Sequence, residues 1–290
     1  MGPEHPDYET LIAIANDIGE RVPTGLEDAV SNLILDAVEF VLDPVRTGRT
    51  KITQLDNVEK TFIGLKVEHF IRDILDAPKG IRDLVLAGRD VDVKNTVGSR
   101  WAWMIPPETY RHEEPCLLIA ANEATRTAWM GLIIAREAYL GAPNRDAKRG
   151  IRAPAYQNIL WLANGIPWPR DRWNGIDMAR FRELRRVKGG SVRAAAFFSE
   201  NLRKPIHRKV VEALLFDQLD PMKRLRGNRG AKDILKPLGI ALMSGVYFNP
   251  TLEQLHLPRI GNDEFIAIDI RTAEERAIIL EQRDELERED

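Results

Sequence analysis

Residues 81–95, IRDLVLAGRDVDVKN, hold two short runs of Val, Ile and Leu that meet at Ala87-Gly88, and no other stretch limits the possible folds as tightly. Successive side chains of a strand point to opposite faces, so Val91 and Val93 fall on one side while Asp90, Asp92 and Lys94 fall on the other. A reversal about Ala87-Gly88 pairs Leu86 with Arg89, Val85 with Asp90, Leu84 with Val91 and Asp83 with Asp92. Directly opposed residues have Cβ atoms roughly 5 Å apart, where two like charges destabilise the ladder. A positive group is therefore expected between the two carboxylates. Lys94, about 6.6 Å along the same face, is one candidate and a divalent cation is the other. Oxygen donors alone select Mg2+ or a similarly hard ion. A solvated hairpin with fortuitous charges fits the same letters. Asp-x-Lys by itself carries little, because Asp146-Ala147-Lys148 repeats it in a loop or helix context with no paired strand before it.

With 290 residues and 44% hydrophobic content the chain can bury one large core or two modest ones. No apolar run reaches the ~18 residues that a bilayer span requires, and MGPEHPDYET has neither the basic nor the apolar region of a secretion signal. A soluble, cytoplasmic protein with no membrane partner is expected. Cys116 stands alone and the five histidines are scattered, which argues against zinc and against a disulfide within the chain. The net charge of −2 hides an asymmetry: residues 170–232 hold 17 Lys/Arg against 7 Asp/Glu, and residues 272–290 hold 3 Arg against 8 Asp/Glu. A basic block of this kind suits a phosphate-binding surface, because each neutralised phosphate releases condensed counterions. It equally suits a solvated helical face.

Residues 8–43 show helical spacing on either side of Pro23-Thr24-Gly25, which predicts two helices. Asp56 with Glu59 three residues later predicts a capping box opening a third. Ile63, Val67, Phe70, Ile71 and Ile74 mark its buried stripe, and Glu68 sits beside that stripe, either facing inward, where a buried carboxylate needs a cation or donors, or reaching solvent at the stripe's edge. CLLIAAN at 116–122 reads as a central strand and AWMGLIIA at 128–135 as another. These elements predict a mixed α/β layer structure, a mixed sheet flanked by helices, over residues 1–165. Gly165-Ile166-Pro167-Trp168-Pro169 is expected as the boundary. Helical patterns at 176–187, 191–202 and 205–218 follow, and MKRLRGNRGAKDILKPLGIALMSG then carries five Lys/Arg within ten residues and after them an expected strand. Three short helices followed by a basic, glycine-containing strand pair predict a mostly helical winged helix-turn-helix domain over 166–271, although any small α/β domain with a basic surface has similar features. Residues 272–290 form an acidic tail, expected to be a solvated helix or to pair with a symmetry mate.

An inward helix acid, a hairpin with Asp83, Asp92 and Lys94, a central strand and a basic second domain, in that order, resemble the NaeI-type restriction endonucleases. Their nuclease domain is of the PD-(D/E)xK class and similar to the mismatch-repair nicking nuclease MutH. The matching stretches are RTGRT at 46–50, EKTFIGLKVE at 59–68, DLVLAGRDVDVK at 83–94, AWMIPPE at 102–108, LGAPNRDAKR at 140–149, IHRKVV at 206–211 and MKRLRGNRGAKDILKPLGI at 222–240. They span roughly residues 30–245. The resemblance implies a restriction-endonuclease-like fold and a type II enzyme that cuts both strands of duplex DNA at a specific sequence with Mg2+. It also implies a homodimer, no nucleotide cofactor, and a winged-helix domain that binds a further copy of the site to activate cleavage.

Carried over by position, the catalytic set is Glu68, Asp83, Asp92 and Lys94, with Glu68, Asp83 and Asp92 as metal ligands. Hydrolysis of a phosphodiester needs an in-line water, positive charge on the transition state and a proton for the leaving oxygen. Lys94 would sit beside the attacking water, and Asp90, which lacks an opposed carboxylate in this register, is a rim residue. Lys223, Arg224, Arg226, Arg229 and Lys232 are the expected phosphate contacts of the second domain. Two rival readings remain at this point: a strand-nicking enzyme of the MutH kind, and a DNA-binding regulator with a lapsed nuclease core.

Overall fold

Strand β4 (Pro115–Asn122) is buried on both faces, and the first of two compact units is built around it. A computed structural model describes residues 1–280 of the chain. Helices α1 (Tyr8–Arg21) and α2 (Leu26–Leu42) come first, then one-turn α3 (Pro44–Thr47), which belongs to the second unit, and α4 (Asn57–Ile74). A five-stranded sheet in the order β1-β2-β4-β5-β8 follows, from β1 (Leu84–Leu86), β2 (Arg89–Val97), β4, β5 (Thr127–Ile134) and β8 (Leu160–Pro167). Only β2 and β4 run parallel among these neighbours, so the sheet is mixed.

The period of two along β4 separates two cores. Leu117, Ile119 and Ala121 pack with α1, α2 and α4, whereas Cys116, Leu118 and Ala120 pack with Trp103, Ile105, Tyr110 and Ile151 on the other face. The second face is closed by a small sheet of β3 (Met104–Ile105), β7 (Arg149–Ile151) and β6 (Leu140–Pro143), together with α5 (Pro107–Tyr110). Trp101 lies 5.0 to 5.5 Å, centroid to centroid, from Trp103, Trp129, Tyr156 and Trp161 at its rim. The predicted capping box opens α4: Glu59 N donates to Asp56 and Asp56 N donates to Glu59.

The stretch expected as a boundary is instead the end of β8. Ile166 and Pro167 pair with Ala128 and Thr127, and the first unit continues to Asp171. Pro and Gly fit there because β8 is an edge strand and its register shifts beside Gly165, whose φ of 70° marks a bulge that glycine accommodates. Punctuation that reads as a linker thus serves a strand.

The second unit comprises residues 44–48 and 172 onward. Its elements are α6 (Met178–Leu184), α7 (Gly190–Glu200), β9 (Ile206–His207), α8 (Arg208–Leu214), α9 (Ala231–Leu235), β10 (Ile240–Ser244), α10 (Gly245–Gln254) and β11 (Glu264–Asp269). The third predicted helix begins at Arg208 rather than Pro205, because Ile206 and His207 pair with β11 and the His207 ring accepts from Lys209 N at 3.0 Å as a cap. The strand expected after the basic run is β10, but the basic residues themselves are not in the strand pair. The basic run forms turns and α9, and the strands are the largely apolar β10 and β11. Asn228 and Arg229 take φ of 60° and 71°, and a Cβ on Gly230 would come 1.9 Å from the Arg226 carbonyl oxygen, so this run is a tight turn and not a ladder. Residues 273–280 of the tail are helical, and Glu275 pairs with Arg203 at 3.0 Å. The remainder of the acidic tail, 281–290, lies outside the described residues.

Candidate active site

The hairpin forms in the predicted register: Leu84 faces Val91, Val85 faces Asp90 and Leu86 faces Arg89. Ala87 and Gly88 both have positive φ, 48° and 70°, the conformation of a tight two-residue hairpin turn. Val91 and Val93 enter the helical core, which leaves Asp92 on the other face. That face is not solvated. Asp92 is only 3% exposed, and β4 lies alongside it with Cys116 in register. Asp83 arrives one pair beyond the ladder and accepts from Val93 N at 2.6 Å.

Burial first of all, then a hydrogen bond with Asp92 and the charges of Glu68 and Asp92, push the Asp83 carboxyl up to about 7, against the lowering effect of the Val93 N–H. Two adjacent carboxylates, one buried and one half-buried, cannot both ionise cheaply. Glu68 acts on this pair through its charge from α4, which packs along β2 closely enough that a Cβ on Gly64, one turn earlier, would stand 3.9 Å from the Asn95 amide nitrogen. Lys94 places its ammonium against Asp92 Oδ1 and its own strand's Val93 carbonyl. The structure therefore brings Asp83, Asp92 and Lys94 into contact and holds Glu68 within electrostatic reach.

Asp90 is turned away from this group. Both its oxygens accept from Arg82 N at 3.1 Å, and its carboxylate packs against Gly80, where a Cβ would meet it at 2.0 Å. Sequence reasoning missed two residues. Thr109 Oγ1 donates to Asp92 Oδ2 at 2.6 Å, and Arg82 donates to Glu114 at 2.6 Å and to the Glu108 carbonyl at 2.7 Å. Thr109 stands 17 positions from Asp92, and no periodicity links the two. The Pro106-Pro107 pair, which favours a helix start, was the one local signal for α5.

Among the described residues no three His, Cys, Asp or Glu side chains form a ready ligand shell. The chemistry of the donor set nevertheless fits a hard divalent ion: Glu68, Asp83 and Asp92 offer oxygen alone, and Asp83 shares a hydrogen bond with Asp92 that a cation between them would replace. In the second unit Lys223, Arg224, Arg226 and Arg229 are exposed, while Lys232 is half-buried with Nζ 5.2 Å from the Phe248 ring centroid.

The sequence model of the restriction endonuclease NaeI family matches residues 13–278, spanning both units. This chain belongs to that family. It is 32% identical over 247 residues to the type II restriction enzyme NaeI of Lentzea aerocolonigenes, an alignment covering 81% of this chain and 73% of that relative. The family match extends beyond residues 30–245 at both ends and takes in most of α1, β11 and the first helical residues of the tail.

Proposed function

We propose that Glu68, Asp83, Asp92 and Lys94 form the cleavage centre of this sequence-specific type II restriction endonuclease, with Mg2+ as its ion. The carrying observation is the Asp83–Asp92 pair, Asp92 buried and Asp83 half-buried, with an ammonium on one side and the charge of a further carboxylate felt from α4. Glu68, Asp83 and Asp92 would hold the ion, which when bound supplies Lewis-acid stabilisation of charge on the scissile phosphate. Lys94 contributes positive charge where the attacking water and the phosphoryl oxygens become negative, and it is held there by Asp92 instead of swinging in solvent. Asp83 fixes the hairpin end through the Val93 N–H, so ligand and lysine move as one piece. A homodimer, with one centre for each strand, and a cytoplasmic location belong to the same reading. Among the described residues no helix is long and apolar enough to cross a membrane.

The test is incubation of a sequenced plasmid with the full chain in Mg2+ and in EDTA. Linear product with a single mapped sequence at its ends, formed only with Mg2+, is the expected result. Random ends, or equal cleavage in EDTA, would remove the proposal.

The second unit reads best as a winged-helix module that binds a further copy of the DNA site. Its order of two helices, a short strand, two helices and two antiparallel strands joined through α10, with the sheet arranged β10-β11-β9, supports this, as does the exposed basic run leading into α9. Replacing Arg226 and Arg229 by glutamate is expected to flatten the dependence of log Kd on log salt by about one for each phosphate no longer neutralised. Fluorescence anisotropy of a labelled duplex over a salt series measures this, and an unchanged slope counts against the patch.

A further inference from the structure

We infer that Thr109 is a positioning residue for cleavage, its hydroxyl fixing the plane of the Asp92 carboxylate so that, with one oxygen held by Thr109, the other is turned to Lys94. The inference rests on the reading of Asp92 as a cation ligand. The terminal torsion of an aspartate is broad and roughly two-fold, so covalent geometry leaves its orientation open. Asp92 is 3% exposed and cannot rely on water to choose. Thr109 is fully buried, its hydroxyl has one hydrogen to donate, and that hydrogen goes to Oδ2 at 2.6 Å. Oδ1 is then the oxygen turned to Lys94.

The hydroxyl is itself held firmly. Thr109 sits in α5, which opens on Pro107 after Pro106, and the neighbouring Tyr110 is buried in the core beneath. The Arg82 guanidinium grips α5 at the Glu108 carbonyl and at Glu114 just beyond it. Arg82 is the residue before Asp83. One short helix thus fastens both acids, Asp83 through its neighbour and Asp92 through Thr109.

Thr109→Val keeps the branched shape and removes the donor, whereas Thr109→Ser keeps the donor and removes a methyl group. The full-length protein is to be compared in three measurements: Mn2+ binding without DNA, followed by the electron paramagnetic resonance of free Mn2+; cleavage across a Mg2+ series; and affinity for duplex DNA. The valine variant is expected to lose about 10–100-fold in Mn2+ affinity and to require correspondingly more Mg2+ for cleavage, the range seen when a ligand's supporting hydrogen bond is removed. The serine variant should stay within a few-fold of the parent, and DNA affinity should be unchanged in both. A folded valine variant with parental Mn2+ binding and cleavage overturns the assignment. So does a serine variant that loses both, since packing and not the hydrogen bond would then be the role. If the valine variant does not fold, the serine variant decides alone. Failure of the underlying reading is separable: Asp92→Ala would then cut at the parental rate whatever position 109 holds.

Discussion

Replacing Lys94 by alanine is expected to abolish cleavage while leaving DNA affinity nearly unchanged. The ammonium contacts Asp92 Oδ1 and is the cation placed directly on the acid pair, so its loss removes charge stabilisation at the reacting phosphate. Removing one such group from a preorganised site commonly costs about 10²–10³ in rate. Binding should survive because the backbone contacts proposed for DNA lie on the basic run of the second unit. Asp92→Ala should behave alike in cleavage, yet for a different reason: it removes a proposed ligand, leaves Thr109 without its acceptor and leaves Lys94 only the Val93 carbonyl. A quench assay on supercoiled plasmid, paired with a gel-shift titration, reads both properties. Parental turnover by either variant would refute the assignment.

Replacing Asp83 by asparagine is expected to give a more stable protein that does not cut. Folding raises the Asp83 carboxyl from 3.8 to about 7, chiefly by burial. The native state therefore keeps a proton that the unfolded chain has already released in this window. The stabilising contribution of that proton is complete below about pH 3.8 and is lost as the pH rises through about 7. Above that point the fold carries a half-buried carboxylate facing the charges of Asp92 and Glu68. Asparagine abolishes the charge and retains an oxygen for the Val93 N–H. The melting temperature of the variant should exceed that of the parent at about pH 8, and the gap should close toward about pH 4. Cleavage should fall at least ~100-fold, as expected for a missing oxygen ligand at a charge-stabilising centre. Melting curves with equal values at about pH 8 would show that burial imposes no penalty at Asp83.

Much of this centre can be read from local pattern. Ala87-Gly88 with alternation on either side fixed the hairpin register, and register alone made Asp83 face Asp92. The capping pair Asp56 and Glu59 set the start of α4 and hence the side of the helix that carries Glu68. Contacts between distant residues left no such trace. Thr109 meets Asp92, and Arg82 meets Glu114, through tertiary packing that periodicity does not encode. Composition also misled twice. Gly165 and Pro167 complete an edge strand, and the basic residues at 222–232 form turns and the start of α9 ahead of the strand pair instead of lying in it, because Gly230 must approach the Arg226 carbonyl.

The shared direction of β2 and β4 has a consequence for how this enzyme can vary. Strands that run the same way cannot be joined by a tight reversal, so the chain must travel back the full strand length from Val97 before re-entering at Pro115. That return path is the segment that carries α5 across the acids. Lengthening or shortening it would therefore alter the chemistry at a distance, with all four charged groups of the centre still in place.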